Sequence, residues 1–581
     1  MALVVASSAL SSVGPWLLRH ALDAMRAGEP VKYIWLLAAT MIGVTLVRGV
    51  SHYWKRQLLN GMSREIEFDL RNDLFRSLAS ADPTYYSRMR TGDLMARVTN
   101  DLSAVRQASG PAIMYFADTI FGGTFAIAFM VSISPTLTLV AALPMVLIPV
   151  LGVVLGRIVH RRFEEVQEQF SDLTTLAQEN LAGVRIVRAF RQENAEIARW
   201  KTLNDDYLRR NMRLSKLYAI MQPGFGILAG FGMVAVVGFG GRLVVDGTIT
   251  VGAFVAFPMY LTMLTWPLIA LGWVINLFQR GAASMTRLLD ILDARSLLEE
   301  PVKAVTLPAA KGDGRTFEFR DVGFHYPTPD NESEPRWVLR HVSFTALAGE
   351  TMGVVGATAS GKSALMDLIP RLYDPQEGTI LLDGVPIREL PIAELRREIG
   401  YVPQESFLFS DTLDSNLSYG TQETNDGRWA AKVAQLSETI ESFPGGYETM
   451  LGERGINLSG GQKQRAALAR ALARKPHVVL LDDALSAVDT HTEAEILGAL
   501  RNTLAGRTAL IASHRVSAIR DASRIIVLDE GRIVEQGTHD DLITAGGRYW
   551  TLLNRQQLEE SIEADAEADS EADILVSNDA G

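Results

Sequence analysis

The sequence predicts an α-helical six-span transmembrane domain followed by an α/β domain built around a phosphate-binding loop. Three observations predict it. Apolar runs of about 20 residues, enough to cross a hydrocarbon core, recur up to about residue 280. GATASGKS at Gly356–Ser363 fits the phosphate-loop pattern G-x-x-x-x-G-K-[ST]. Downstream, Val478–Asp483 reads VVLLDD, an apolar strand ending in two carboxylates. A chain of 581 residues with 48% hydrophobic content and a mean hydropathy of +0.10 suits one membrane domain joined to one soluble domain.

The apolar runs place the spans at Ala2–Leu22, Tyr33–Trp54, Ala112–Ile133, Thr136–Val159, Leu217–Val244 and Val251–Phe278. No cationic segment precedes the first, which argues against a secretory signal peptide. Long linkers follow the second and fourth spans. Both are helical in pattern and rich in arginine, among them Arg64, Arg71 and Arg97 in the first and Arg161, Arg185 and Arg199 in the second. The links SISPT and GRLVVDGTIT on the other side are nearly uncharged, so the long linkers face the cytoplasm. Asp118 is the one acid at moderate depth, where a carboxylate is expensive. Substrate or proton handling and a bundle-facing hydrogen bond are both open for it. Gly224, Gly226, Gly230 and Gly232 suit close helix packing. Phe257, Met259, Tyr260, Met263 and Trp266 suit either an adaptable pocket or contact with lipid and neighbouring helices.

A polar connector leads to FEFRDVGFHY, Phe317–Tyr326, whose alternation opens a β-rich start. TMGVVG at Thr351–Gly356 is a strand running into the phosphate loop, and ALMDLIPRL after it is a helix. That context is what the motif requires. Backbone N–H groups of Gly356, Ala357, Thr358, Ala359, Ser360 and Gly361 can surround phosphate oxygens, aided by the helix N-terminus. Lys362 is expected to reach the β- and γ-phosphates and Ser363 to hold Mg²⁺. Asp482 is expected to support the ion directly or through water. A nucleoside triphosphate and Mg²⁺ are therefore the expected ligands.

Between these two motifs lies LSGGQ, Leu458–Gln462, ahead of the helical KQRAALARALAR. The ordered set of three resembles the ATP-binding cassette (ABC) family, and in particular exporter half-transporters with a membrane domain ahead of the cassette. The resemblance implies that the nucleotide is ATP, that Tyr326 stacks on adenine and that Gln404 in YVPQES contacts Mg²⁺ or water. It implies that His514 in IASHRVSAI contacts the γ-phosphate and that SAVD, Ser486–Asp489, links two sites across a dimer. Ser459, Gly460, Gly461 and Gln462 are then expected to close on the γ-phosphate held by another cassette. With one cassette and no internal repeat, a working pump needs two chains. Glu453 falls where exporters place a loop that communicates with the membrane domain. RTGDLMARVTND, Arg90–Asp101, and GVRIVRAFRQENAE, Gly183–Glu196 with Phe190 and Glu193, resemble the coupling helices that touch cassettes. Family members usually carry a short cytoplasmic helix before the first span, so a truncation, a late start or a real departure is expected here.

Two positions depart from the family pattern. Ala359 is Gly in many members. Asp483 stands where active sites place Glu, the general base polarising the attacking water. Asp is one methylene shorter, and a retreat of roughly 1 Å can cost on the order of 10²-fold in rate. In heterodimeric exporters Asp here marks the chain whose own phosphate loop forms the slow, degenerate site. The other reading is that backbone drift lets Asp483 reach.

The expected function is thus an ATP-hydrolysing subunit of a multidrug- or lipid-type exporter in the cell (inner) membrane. Its expected partners are a second half-transporter with a catalytic Glu, the lipid bilayer, and a lipophilic small-molecule or lipid substrate. A regulatory or channel-like protein with little turnover, or a homodimeric exporter, are the alternatives. A net charge of −11 argues against a nucleic-acid partner, and the absence of cysteine rules out an attached cysteine protease. The expected domains are residues 1–280 for the membrane part, 281–315 for the connector and 316–555 for the cassette. An acidic tail, residues 556–581, is expected to be disordered.

Overall fold

The computed structural model describes residues 2–294, 296, 298–310, 312–327, 336–421 and 424–558. The acidic tail expected to be disordered lies, beyond its first residues, outside the described residues. The chain divides into two compact units, Met1–Ala79 with Thr91–Ala294, and Ser80–Arg90 with Arg295–Gly581.

The helices up to the connector are α1 Ala2–Arg26, α2 Val31–Ser80, α3 Pro83–Arg88, α4 Thr91–Ile133, α5 Pro135–Ala182, α6 Val184–Ala189, α7 Glu193–Val245 and α8 Val251–Leu292. Six of them, all but α3 and α6, are long and apolar enough to cross a membrane. Each contains one expected span and outruns it. Helix α2 has 50 residues, about 75 Å at 1.5 Å per residue, so the arginine-rich linkers are continuations of the spanning helices. Helix α8 likewise continues from the last span to Leu292. Breaks fall where the chain supplies stop signals. Ser134 caps α5 with Pro135 in the first turn, and Asp82 caps α3 with Pro83 following it.

In the first unit, the apolar window of α2 buries no residue. Its contacts concentrate further along. Lys55 Nζ donates to both Asp118 carboxylate oxygens at 2.8 Å. A Cβ on Gly110 would lie 2.6 Å from Ser63 Cβ, and Arg106 meets Glu67 at 3.4 Å. Residues 55, 59, 63 and 67 form one i, i+4 stripe, and Leu59 also approaches Gly110. On the opposite side α8 closes on α4 equally tightly, because a Cβ on Gly281 would lie 2.3 Å from Ala108 Cβ. There Asp101 accepts from Arg287 Nε and from Ser284 Oγ. The α4 turn at Ala108–Ala112 is widened around Pro111, which lacks an N–H.

Asp118 therefore has a bundle-facing partner, a buried lysine. Of the span-five glycines, Gly232 packs closely, with Ala141 O 3.0 Å from an added Cβ, whereas Gly226 and Gly230 meet nothing within 4 Å. Phe257 and Tyr260 are buried in the bundle core, where Tyr260 stacks on Phe129 and donates to Ser12 O. They pack the bundle, while Met259 and Trp266 are exposed.

Arg90–Asp101, which resembles a coupling helix, is helical from Thr91 as the first turns of α4, and the short separate helix at that end is α3. The Asp-Pro pair at 82–83 is the cap and first-turn signal that sets it there. Helix α3 belongs to the second unit, where Thr84 is buried and Asp82 accepts from Ser296 Oγ at 3.3 Å. In the second linker the short helix is α6, with Phe190 at its C-terminus, and Glu193 starts α7.

The second unit holds two sheets. The smaller, in order β2-β1-β4-β5, comprises β1 Phe317–Phe324, β2 Leu339–Ala346, β4 Glu377–Leu382 and β5 Val385–Pro386. Strand β1 begins with the expected alternation. A bulge between Arg320 and Gly323 interrupts it, so Val322, Gly323 and Phe324 are all buried. The larger sheet runs β10-β9-β3-β8-β7-β6. Its strands are β3 Thr351–Gly356, β6 Ile399–Val402, β7 Val478–Asp482, β8 Thr508–Ser513, β9 Arg524–Asp529 and β10 Arg532–Gly537. Strands β9, β3, β8, β7 and β6 are parallel, so β3 after Thr351 and β7 before Asp482 run without polar side chains because both faces are covered. The helix after the phosphate loop, α9 Lys362–Leu368, stops short of the expected ALMDLIPRL because Ile369 precedes Pro370.

Candidate nucleotide site

Parallel strands deliver their C-terminal ends to one edge of the sheet, where ligands bind in such folds. Strand β3 ends in the phosphate loop, β7 in Asp482 and Asp483, β8 just before His514, and β6 two residues before Gln404. These elements surround a cavity of 870 Å³ lined by Tyr326, Lys362, Ser363, Gln404, Asp483 and His514, among others. The sequence-predicted residues of the phosphate-loop half therefore converge.

The loop itself is tight. A Cβ on Gly356 would lie 2.2 Å from Leu528 O, and Gly361 has φ 106° at the start of α9. Ala359 also adopts a left-handed conformation, φ 65°, which accounts for glycine being usual there. Lys362 Nζ donates across the loop to Gly356 O at 2.9 Å and Ala357 O at 3.1 Å. Burial pushes its ammonium pKa down, against the attraction of Asp483 and Asp482. Asp482 is pushed up by burial, while the Ser363 hydroxyl bonded to it pulls the other way. Its Oδ1 is buried with no hydrogen-bond partner among the described residues, as is Ser360 Oγ. A hydroxyl beside an orphaned carboxylate oxygen fits an oxygen-liganded cation such as Mg²⁺.

Asp483 sits at φ 44°. Its Oδ1 accepts from His514 N at 3.0 Å and lies 2.8 Å from His514 Nδ1. The short carboxylate is thus drawn onto the histidine, whose side chain is half exposed toward the cavity. Tyr326 stands on an aromatic stack, edge-on to Phe324 and Tyr373 at 5.0 and 5.3 Å. Burial raises its phenol to about 12.

Ser459, Gly460, Gly461 and Gln462 do not line this cavity. Ser459 caps α10 Gly460–Ala473, and Gln462 closes the capping box by accepting from Ser459 N at 2.9 Å. A Cβ on Gly461 would lie 2.8 Å from Ala487 O, so this glycine lets the helix start pack on the SAVD loop. Glu453 opens the short turn Glu453–Gly455 just before this segment.

Sequence reasoning missed Gln464. Its Nε2 donates to Ser486 Oγ and its Oε1 accepts from Ala487 N, each at 2.8 Å, tying α10 to the SAVD loop. A glutamine inside an Ala/Arg helix carries no local signal of this. Arg336 and Trp337 on the cavity rim were also missed.

The family model for the ABC transporter transmembrane region matches residues 1–268, and that for ABC transporter matches residues 339–486. A probable multidrug resistance ABC transporter ATP-binding/permease protein, YheI of Bacillus subtilis (strain 168), is 36% identical over 96% of this chain and 94% of its own. An ATP-dependent lipid A-core flippase of Desulfotalea psychrophila is 32% identical over 95% of each. The structure of a bacterial Atm1-family ABC exporter with ATP bound superposes with a TM-score of 0.75 at 27% identity, covering 95% of this chain and 97% of that one.

Proposed function

The chain belongs to the ABC transporter family, and from that premise we propose that it is one half of an exporter whose own ATP site turns over slowly. It is a multi-pass membrane protein and a transport ATPase, with its nucleotide-binding domain in the cytoplasm. The substrates are lipophilic or amphipathic molecules, drugs or lipids, moved out of the cytoplasm or the inner leaflet by alternating access. Relatives named for multidrug resistance and for lipid A-core flipping support that class.

In this reading Tyr326 stacks on adenine, and the phosphate-loop N–H groups with Lys362 bind the β- and γ-phosphates. Ser363, Asp482 and Gln404 hold Mg²⁺, which neutralises phosphate charge when bound. His514 contacts the γ-phosphate. Asp483 is the base, short by a methylene and occupied by His514, and orients water poorly.

The observation that carries the two-chain reading is that the LSGGQ residues stand outside the cavity formed by this chain's phosphate loop. They are free to complete a site on another chain. Apolar side chains beyond the spans support the same partner. Phe163, Phe170, Leu181, Ile186 and Ile197 are exposed on segments where no lipid would cover them. The partner is a second half-transporter bearing Glu at the base position. Helix α3 and Gly183–Glu196 act as the coupling segments.

The test is ATP turnover by the co-expressed complex. Ser459→Arg is expected to abolish it by blocking closure on the partner's ATP. Asp483→Asn is expected to reduce it only mildly, because that site is slow already. The unequal-site reading fails if Asp483→Asn is the more damaging change.

A further inference from the structure

Two of the residues assigned to the metal lie on separate elements, Ser363 in helix α9 and Gln404 two residues beyond the end of strand β6. A contact between the two elements joins them. Asp367 lies four residues after Ser363, one turn along the same face of α9. Tyr401 lies in β6, three residues before Gln404. Tyr401 Oη donates to Asp367 Oδ1 at 2.8 Å. Strand β6 pairs in register with β7, Tyr401 with Leu480 and Val402 with Leu481, so the same cross-brace abuts the strand that ends at Asp482.

We propose that Asp367 and Tyr401 form a positioning pair that fixes the Gln404 loop relative to the phosphate-loop helix for metal binding. Gln404 is exposed and follows Pro403 at the end of a four-residue strand, so β6 alone gives it little restraint. The phenol–carboxyl bond supplies that restraint from the element that bears Ser363. Burial raises the Asp367 carboxyl to about 6, with the Asp482 charge adding to the rise and the Tyr401 bond opposing it. An acid kept in so unfavourable a place, within the field of Asp482 and Tyr326, fits a role in the site better than one in the fold. Neither residue touches nucleotide in this scheme; both act through Gln404.

This inference rests on the assignment of Ser363 and Gln404 to the ion, and the experiment separates the two. Mn²⁺ binding to the complex loaded with a non-hydrolysable ATP analogue is followed by electron paramagnetic resonance, beside metal-free nucleotide binding. Tyr401→Phe removes one oxygen and is expected to weaken Mn²⁺ binding about three- to tenfold, the worth of one hydrogen bond. Nucleotide binding without metal is expected to be unchanged. Asp367→Asn keeps an acceptor and should stay near wild type, whereas Asp367→Leu should match Tyr401→Phe. The double variant Tyr401→Phe, Asp367→Leu should be no worse than either single change. Wild-type Mn²⁺ affinity in Tyr401→Phe, or additive losses in the double variant, would overturn the pair. Ser363→Ala is the control. If it too leaves Mn²⁺ affinity unchanged, the metal assignment falls and the pair falls with it.

Discussion

Ala359 holds a left-handed backbone at φ 65° inside the phosphate loop, a conformation that strains any residue with a Cβ by about 1–2 kcal/mol. Ala359→Gly relieves this and adds about 0.5–1 kcal/mol of unfolded-state entropy, so a small net gain is expected. The cassette melting temperature should hold or rise; a clear fall would contradict the strain account. Lys362 bridges two loop carbonyls with a buried ammonium. Lys362→Ala should therefore sharply weaken ATP binding while leaving the membrane helices folded. Photolabelling by an azido-ATP analogue, compared with circular dichroism of the same sample, reads both; undiminished labelling would remove Lys362 from the site. The phosphate-loop residues were legible because glycine spacing dictates a backbone shape. Gln464 and Asp367 were not, since their partners lie 22 and 34 residues away on other elements.

At the scale of elements, the α9–β6 brace carries a cost that can be measured. Asp367 is raised from the usual 3.8 to about 6 in the folded chain. The folded state therefore holds its proton more tightly than the unfolded state. Stability is unaffected below about pH 4, falls as pH rises from about 4 to 6, and stays lowered above that. The loss is roughly 2–3 kcal/mol, at 1.36 kcal/mol per unit. Asp367→Asn should raise the cassette melting temperature at pH 7.5 and leave it nearly unchanged at pH 4. Equal effects at both pH values would contradict the raised acid. Some element starts carry their signal in the sequence, as at the Ser134-Pro135 cap and the glycine-bounded loop before α9. The Asp82-Pro83 start of α3 carries the same kind of signal, yet the amphipathic pattern of Arg90–Asp101 competed with it. Periodicity cannot separate a short free helix from the first turns of a long one. Hydropathy gave the spans but not their extensions, because arginine-rich helix and arginine-rich loop look alike to it.

Across the whole molecule, six spanning helices and a cassette make one half of a pump. Its phosphate loop is intact but served by a base one methylene short, and Ser459, Gly460, Gly461 and Gln462 do not line that loop's own cavity. The fold class was legible because two periodicities, long apolar runs and strand–loop–helix phosphate binding, are unambiguous. What Asp483 does was not legible, because its reach depends on the backbone at φ 44° and on His514 drawing the carboxylate aside. The central claim is that this geometry makes the site slow. Single-turnover hydrolysis by the co-expressed complex in lipid nanodiscs, with the partner's own base position changed from Glu to Gln, tests it most directly by comparing wild type with Asp483→Glu. The added methylene is expected to raise the rate at least about tenfold, within the range that a 1 Å displacement commands, with ATP affinity unchanged. A rate that stays the same or falls in Asp483→Glu would contradict the account.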